Sequence, residues 1–318
     1  MPPAAPTTSC WPRAAPSRRR WLPSTDRETA VDAIAEAARA TDIDRYLAAK
    51  LAPRKSRDDL IVLAAFLGEI ARIPRLVSEP LLGEIRLQWW HDAIESFGNG
   101  DRGLVALTGN PLADALGGVV ARRRLSKQPL LDAVDARVFE LYADPLQDEV
   151  ALARYLAGTE GAGFRLTAAI LGVVDRERAT PAEAPLVAAG EALGLTRALL
   201  ALPFHLSRGH TPFPRSWPEV QHLDLGSAAG DTHRMRHLVH RVISEARSRL
   251  DVVRQARAID TSPTYARDFV HAVLPCALVE PYLQALENVD FDPARQIADI
   301  APLQRVWRLW WSRWVGAV

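Results

Sequence analysis

DRYLAAKLAPRKSRDDLIVLAAFLGEIARI, Asp44 to Ile73, decides the fold class. Its first part is built of strong helix formers and ends at Pro53, whose ring cannot continue a helix. Ser56 then reads as an N-cap, with Asp58 and Asp59 in the first turn where the helix dipole favours negative charge. From Leu60 the helix is apolar on nearly all sides up to Leu67, and a helix hydrophobic all round belongs in a core. Glu69 and Arg72 bring charge back at i and i+3, and Pro74 stops or kinks the segment. Nothing in the stretch alternates as a strand would.

The same signals continue outward in both directions. Residues 27–50 read as one or two helices broken near Thr41. After Pro80 a third helix runs to about Phe97. Leu82, Ile85 and Trp89 share one face of it, and Trp90, Ile94 and Phe97 extend that face. Gly98, Asn99, Gly100 and Gly103 make a loop. Further helices are expected at about 110–124, 129–142, 146–172, 181–208, 231–257 and 263–289. Gly158, Gly161 and Gly163 sit inside the 146–172 segment, where they cost helix propensity but allow close approach of backbone or ligand. Residues 209–230 form the longest internal loop. The expectation is an all-α bundle of about ten short-connected helices. One domain spans 26–300 and a Trp/Arg-rich helix closes the chain at 301–318.

Composition narrows the function classes. The 318 residues carry 39 basic and 38 acidic side chains, a formal net charge of +1, so no global field points to nucleic acid. Cys10 and Cys276 are too far apart in sequence to read as a disulfide framework or a Cys-type zinc site, which favours a reducing, cytoplasmic location. No uninterrupted apolar run reaches the roughly 18 residues of a spanning helix. Residues 1–25 hold Arg13, Arg18, Arg19 and Arg20 without an acid, as a transit peptide would. Six prolines from Pro2 to Pro23 prevent a continuous amphipathic helix there, so the reading is a disordered tail or an over-extended start.

Three stretches together resemble the squalene/phytoene synthase family. Asp44–Ile73 is similar to the family's opening helices. ARYLAGTEGAGFRLTAAILG, Ala153 to Gly172, resembles its glycine-bearing tyrosine helix, with Tyr155, Gly158 and Gly161 beside the substrate tunnel. GEALGLTRALLALPFHLSRGHTPFP, Gly190 to Pro214, resembles its second acidic helix and the exit after it, and contains Arg197 and His205. The resemblance covers roughly residues 40–290. It implies an isoprenoid synthase-like helical bundle, and in active members the head-to-head joining of two prenyl diphosphates held by magnesium on Asp-rich motifs. This chain departs from the pattern at those motifs. Matching Phe66 puts Ala71, Arg72 and Arg75 where the first motif's aspartates belong, and matching Leu195–Thr196 puts Ala201 and His205 where the second motif's belong. Glu69 to Ile94 is similar to the branch of the family that includes the mitochondrial respiratory complex I assembly factor, and that branch also lacks the aspartates. The resemblance then implies a fold reused without catalysis. The role is assembly of a respiratory membrane complex, peripheral on the inner membrane, or binding of a prenyl or lipid chain. No cofactor is expected on this reading. The alternative is an active prenyl transferase using magnesium on other carboxylates, such as Glu69, Glu79 and Glu84. It needs a second acidic set near Thr196, where only Glu191 is close.

Several clusters carry two readings each. Glu69 and Arg72 either grip a polar ligand or pair with each other, and pairing is the expectation because buried charges need partners. Glu84, Gln88, His91, Asp92 and Glu95 form a stripe that either binds a metal or faces solvent, the second being the default. Arg86 with Trp89 and Trp90 is either a contact surface or core packing. His233, His237 and His240, spaced i, i+4 and i+7, are either zinc ligands or a surface helix; the arginines among them favour the surface. Trp307, Trp310, Trp311 and Trp314 form one face of the C-terminal helix. That face either lies in a membrane interface or docks on the bundle, and the two readings are evenly balanced.

Overall fold

A computed structural model of the chain describes residues 24–98, 108–142, 146–174, 182–221, 232–256, 263–288 and 291–318. The expected tail at 1–25, Cys10 and the glycine loop after Gly98 fall almost wholly outside these residues. Among the described residues there are fifteen α-helices and no strand: α1 Ser24–Thr41, α2 Ile43–Leu51, α3 Arg54–Leu76, α4 Pro80–Ser96, α5 Pro111–Arg123, α6 Gln128–Val138, α7 Glu149–Leu156, α8 Ala162–Leu171, α9 Glu183–Leu200, α10 Leu202–Ser207, α11 Pro218–Gln221, α12 Thr232–Ala256, α13 Pro263–Val273, α14 Val279–Leu286 and α15 Pro302–Val315.

The centre of the bundle is α3, whose Leu63, Ala65, Phe66, Leu67 and Ile70 are buried, as an all-round apolar segment must be. The helix starts earlier than expected. Pro53 is its cap residue and Ser56 lies buried in the first turn, where its hydroxyl accepts a hydrogen bond from Arg123 rather than capping a backbone N–H. Pro53 has no side-chain acceptor to cap the helix, and its fixed φ suits the entry. The helix also passes through Pro74 and ends at Leu76. On α4 the expected apolar face splits. Trp90, Ile94 and Phe97 are buried, with Trp90 edge-on to Phe66, but Leu82, Ile85 and Trp89 are exposed. The seat of this helix is the line Gly83, Leu87, Trp90 and Ile94, because only Gly83 admits Leu141 so closely.

Four segments read as continuous helices are interrupted: 129–142 passes into a 3-10 turn at Phe139–Leu141, and 181–208 breaks at Ala201 between α9 and α10. Between α7 and α8 lies a π turn, Ala157–Gly161, and between α13 and α14 a 3-10 turn, Leu274–Leu278. Tyr265–Leu286 is long and apolar enough to cross a membrane by length and composition, but its most apolar 18-residue window is 83% buried inside the bundle, as a core segment would be.

Small residues set the closest crossings. A Cβ on Gly190 of α9 would lie 2.6 Å from the Gly161 Cα, so α9 and the π turn touch backbone to backbone. Gly194, one turn on, lies against Leu156 and Glu160, and Arg197 follows on the same face. The close crossing brings the Glu160 carboxylate within reach of Arg197.

Candidate functional site

The π turn, the α1–α2 junction, α6 and α9 converge on a buried chain of charges. Asp42 caps α2 by accepting from the Arg45 backbone N–H at 3.1 Å. Its carboxylate also accepts from Arg45 Nη1 at 2.9 Å and from Arg197 Nη2 at 2.8 Å on both oxygens. Glu160 accepts from Arg45 Nη2, from Arg197 Nη1 at 3.2 Å, and lies 3.7 Å from Arg137 Nη2. Arg45 can reach it because Gly163 leaves room where any side chain would meet the guanidinium. Arg137 also donates to Glu140 at 2.5 Å, and the Tyr155 hydroxyl donates to the same carboxylate at 2.7 Å. A second chain joins α2 to α15: Arg305 Nε donates to Asp44 at 2.7 Å, its Nη2 donates to Asp299 at 2.6 Å, and Tyr282 donates to Asp44 at 2.9 Å.

Both chains line one cavity of about 690 Å³, a size usual for a small-molecule site. Its wall includes Asp42, Asp44, Glu140, Glu160, Asp299, Arg137, Arg197 and Arg305, with Ile43, Leu200, Phe204 and Ile297 between them. Ala71, Arg72 and Arg75 of α3, with Ala201 and His205 at the end of α9 and in α10, line it too. The positions that correspond to the two Asp-rich motifs therefore face one space. They bring to it alanines, a histidine and two guanidiniums.

Burial works against the charge of Glu160, but Arg197, Arg45 and Arg137 outweigh it and hold the carboxyl at about 2. Burial opposes the Asp42 charge in the same way, and Arg197 with Arg45 again keeps it below the ordinary range. Asp44 goes the other way: burial and the neighbouring Asp42 raise it, and Arg197 and Arg305 offset that only in part. His205 is pushed down to about 4, chiefly by burial, and its Nδ1 lies 2.9 Å from Nε2 of His210. It is a neutral imidazole near pH 7.

Magnesium needs free carboxylate oxygens at about 2.1 Å. Each of the five carboxylates on this cavity accepts from at least one arginine. The residues present therefore do not fit a magnesium-diphosphate centre. Among the described residues no group of three His, Cys, Asp or Glu is placed to hold a metal ion.

Of the residues singled out from the sequence, Arg72, Tyr155, Arg197 and His205 line the cavity. Gly158 and Gly161 serve helix contact instead, against Ala136 and Gly190. Glu69, Glu79, Glu84 and Arg86 are not in its wall. Glu69 pairs with Arg72 at 3.0 Å, Glu84 accepts from the Tyr142 hydroxyl at 2.6 Å, and Glu79 and Arg86 are exposed. In the polar stripe of α4, Gln88 donates to Asp92 at 2.7 Å, and His91 approaches Asp135 at 4.0 Å. His237 and His240 are exposed. Trp307, Trp310, Trp311 and Trp314 are 55%, 40%, 49% and 76% exposed, so the tryptophan face does not dock on the bundle. Asp42, Asp44, Arg45, Arg137, Glu140, Glu160 and Arg305 were not legible as a site in the sequence. The available signal was the glycine spacing around Glu160, which promised close approach.

A helical bundle with opposed motif helices around a central cavity defines an isoprenoid synthase-like protein. The squalene/phytoene synthase family model matches residues 38–315, and the chain belongs to that family. The match takes in α15. Curated relatives include "NADH dehydrogenase (ubiquinone) complex I, assembly factor 6" of Bos taurus, 29% identical over 261 residues, 81% of this chain and 74% of the relative. The Homo sapiens protein of the same name is 28% identical over 260 residues, with the same coverage. Among solved structures, the squalene synthase HpnC of Alicyclobacillus acidocaldarius superposes with a TM-score of 0.63 at 19% identity, covering 83% of this chain and 95% of that one. A dehydrosqualene synthase in complex with ligand gives 0.70 at 13% identity, covering 92% and 98%. These two similarities establish the fold.

Proposed function

We propose that this chain is a non-catalytic member of its family that acts in assembly of the respiratory NADH dehydrogenase, complex I. It works beside the membrane that houses the enzyme, and its cavity holds a prenyl or lipid-like molecule with a polar end. One observation carries the non-catalytic part. Every carboxylate on the cavity is engaged by arginine, and the positions of both metal-binding motifs carry Ala71, Arg72, Arg75, Ala201 and His205. A dication entering there would displace guanidiniums from buried carboxylates, which is costly at low effective dielectric, and would meet the like charge of Arg72 and Arg75 at the cavity wall. The relatives named as complex I assembly factors support the role in assembly. The carboxylates named for a transferase do not converge: Glu69 pairs with Arg72, Glu191 pairs with Arg249 at 3.0 Å, and neither is on the cavity wall.

The test is genetic and biochemical. Cells lacking the chain are expected to lose assembled complex I and its NADH oxidation, with other respiratory complexes intact. Re-expression of the chain restores both. Normal complex I in such cells would reject the assembly role.

A further inference from the structure

Helix α15 is seated by a narrow line of three residues, Arg305, Leu309 and Ser312, which are its buried positions. Leu309 packs among Ala48, Leu274, Leu278 and Ile300, and Arg305 is fixed by Asp44, Asp299 and Tyr282. This seat holds the helix in one rotational setting. At about 100° per residue, the four tryptophans centre on the side opposite the seat, and Arg308 and Arg313 fall on its two flanks, roughly 60–80° from the seat line. Both arginines are exposed. No carboxylate occurs between Pro302 and Val315.

The tryptophans form a continuous apolar strip. Trp307 lies against Trp310 and Trp311 with ring centres 5.4 and 5.9 Å apart, and Trp310 stacks on Trp314 at 6.0 Å. Leu303, Val306 and Val315 are exposed beside them. Leaving such a strip in water is unfavourable in proportion to its uncovered apolar area, and among the described residues Trp307, Trp310, Trp311 and Trp314 remain 55%, 40%, 49% and 76% exposed.

We propose that the outer face of α15 docks the protein on an anionic phospholipid bilayer, with the helix lying in the plane of the interface. An indole has an apolar body and one N–H donor, which suits the boundary between acyl chains and headgroups. Arginines on both flanks and no acid on the helix complement a negatively charged surface. A second copy of the chain is a poorer occupant. Two such faces pressed together bring arginines to arginines, with no carboxylate on the helix to pair them. The cavity wall includes Ile297 and Asp299, just before α15 in the chain, together with Arg305 in its first turn. Docking through α15 therefore leaves that side of the cavity about one helix width, roughly 10 Å, from the interface. This inference does not depend on the assembly role, since lipid binding is read on the purified chain alone.

The experiment is co-sedimentation of the full chain with vesicles of phosphatidylcholine alone, or with one quarter phosphatidylglycerol, at low and high salt. Circular dichroism confirms that each variant is folded. The wild-type chain is expected on the anionic vesicles and to leave them as salt rises. Arg308→Gln with Arg313→Gln should weaken binding about fivefold per arginine. Trp310→Ala with Trp314→Ala should weaken it roughly tenfold or more, with the helix still seated by Arg305, Leu309 and Ser312. Equal, salt-insensitive binding to both vesicle types overturns the anionic assignment. Absence of vesicle binding overturns docking altogether. A dimer that dissociates in the tryptophan variant, again without vesicle binding, gives the face to a second copy instead.

Discussion

The cavity and the outer face of α15 both invert the usual order of a soluble protein. In the cavity, charges are inside; on α15, tryptophans are outside. The two inversions differ in whether the molecule resolves them itself. Asp42, Glu160, Arg45, Arg137 and Arg197 pair their charges with one another, and of their side-chain atoms only Arg137 Nε is buried without a hydrogen-bond partner. The tryptophans stack on one another and stay exposed among the described residues, and the bilayer proposed for that face is a partner outside the chain. Arg305 belongs to both regions: it closes the cavity network through Asp44 and seats the helix that carries the tryptophans. Charges paired with one another point to a structural role for the network, and an uncovered face points to binding.

The comparison is broken most directly by removing a member of the network. Glu160→Ala leaves three clustered guanidiniums, Arg45, Arg137 and Arg197, with only Asp42 and Glu140 to balance them, and should cost about 3–5 kcal/mol in urea unfolding. A change below 1 kcal/mol would mean that the charges are not mutually required. Acid exposes the same dependence. His205 is held neutral at about 4 in the folded chain against an ordinary 6.5, so protons bind the unfolded state first as pH falls from 6.5 towards 4. Stability should then drop by up to about 1.4 kcal/mol per pH unit from this group. His205→Gln should flatten that part of the profile. Glu160 has the opposite kind of shift, a carboxyl lowered from 4.5 to about 2. Its contribution is present above about pH 4.5 and lost as pH falls through about 2, a loss absent from Glu160→Gln. Gly190→Ala tests the crossing that brings Arg197 to Glu160. The added methyl meets backbone rather than a movable side chain, and about 1–3 kcal/mol should be lost. The smallest effect belongs to the outer face. Trp310→Ala with Trp314→Ala should change stability by less than about 1 kcal/mol, because Trp314 is largely uncovered and the rings Trp310 meets are the exposed Trp307 and Trp314. A larger loss would show that the strip supports the fold and is not free for a partner.

Sequence and structure agree where the chain is punctuated. The breaks at Thr41, Pro53 and Pro80 were legible because proline and helix-cap chemistry act within a few residues. The π turn at Ala157–Gly161 was not, since periodicity does not reveal a change of hydrogen-bond register. Glu160 itself sits in that turn, and a single carboxylate in a helix reads as surface until its partners from α2, α6 and α9 are known. The positions of the missing aspartates were readable from resemblance, and they do face one cavity. What fills the electrostatic role there came from residues more than a hundred positions apart, as Asp42 and Arg197 are. The direction of the tryptophan face was undecidable from its spacing, because the same pattern serves docking inward and outward. The opposite line, Arg305, Leu309 and Ser312, settled it by packing.

The central claim is that this family member does not join prenyl diphosphates. The direct measurement incubates purified, folded protein with farnesyl and geranylgeranyl diphosphate, magnesium and a nicotinamide reductant beside an active synthase, followed by extraction and identification of hydrocarbons. The account predicts no squalene or phytoene above a boiled control. Either product, dependent on magnesium, would contradict it and mean that the arginine-engaged carboxylates release to hold the metal.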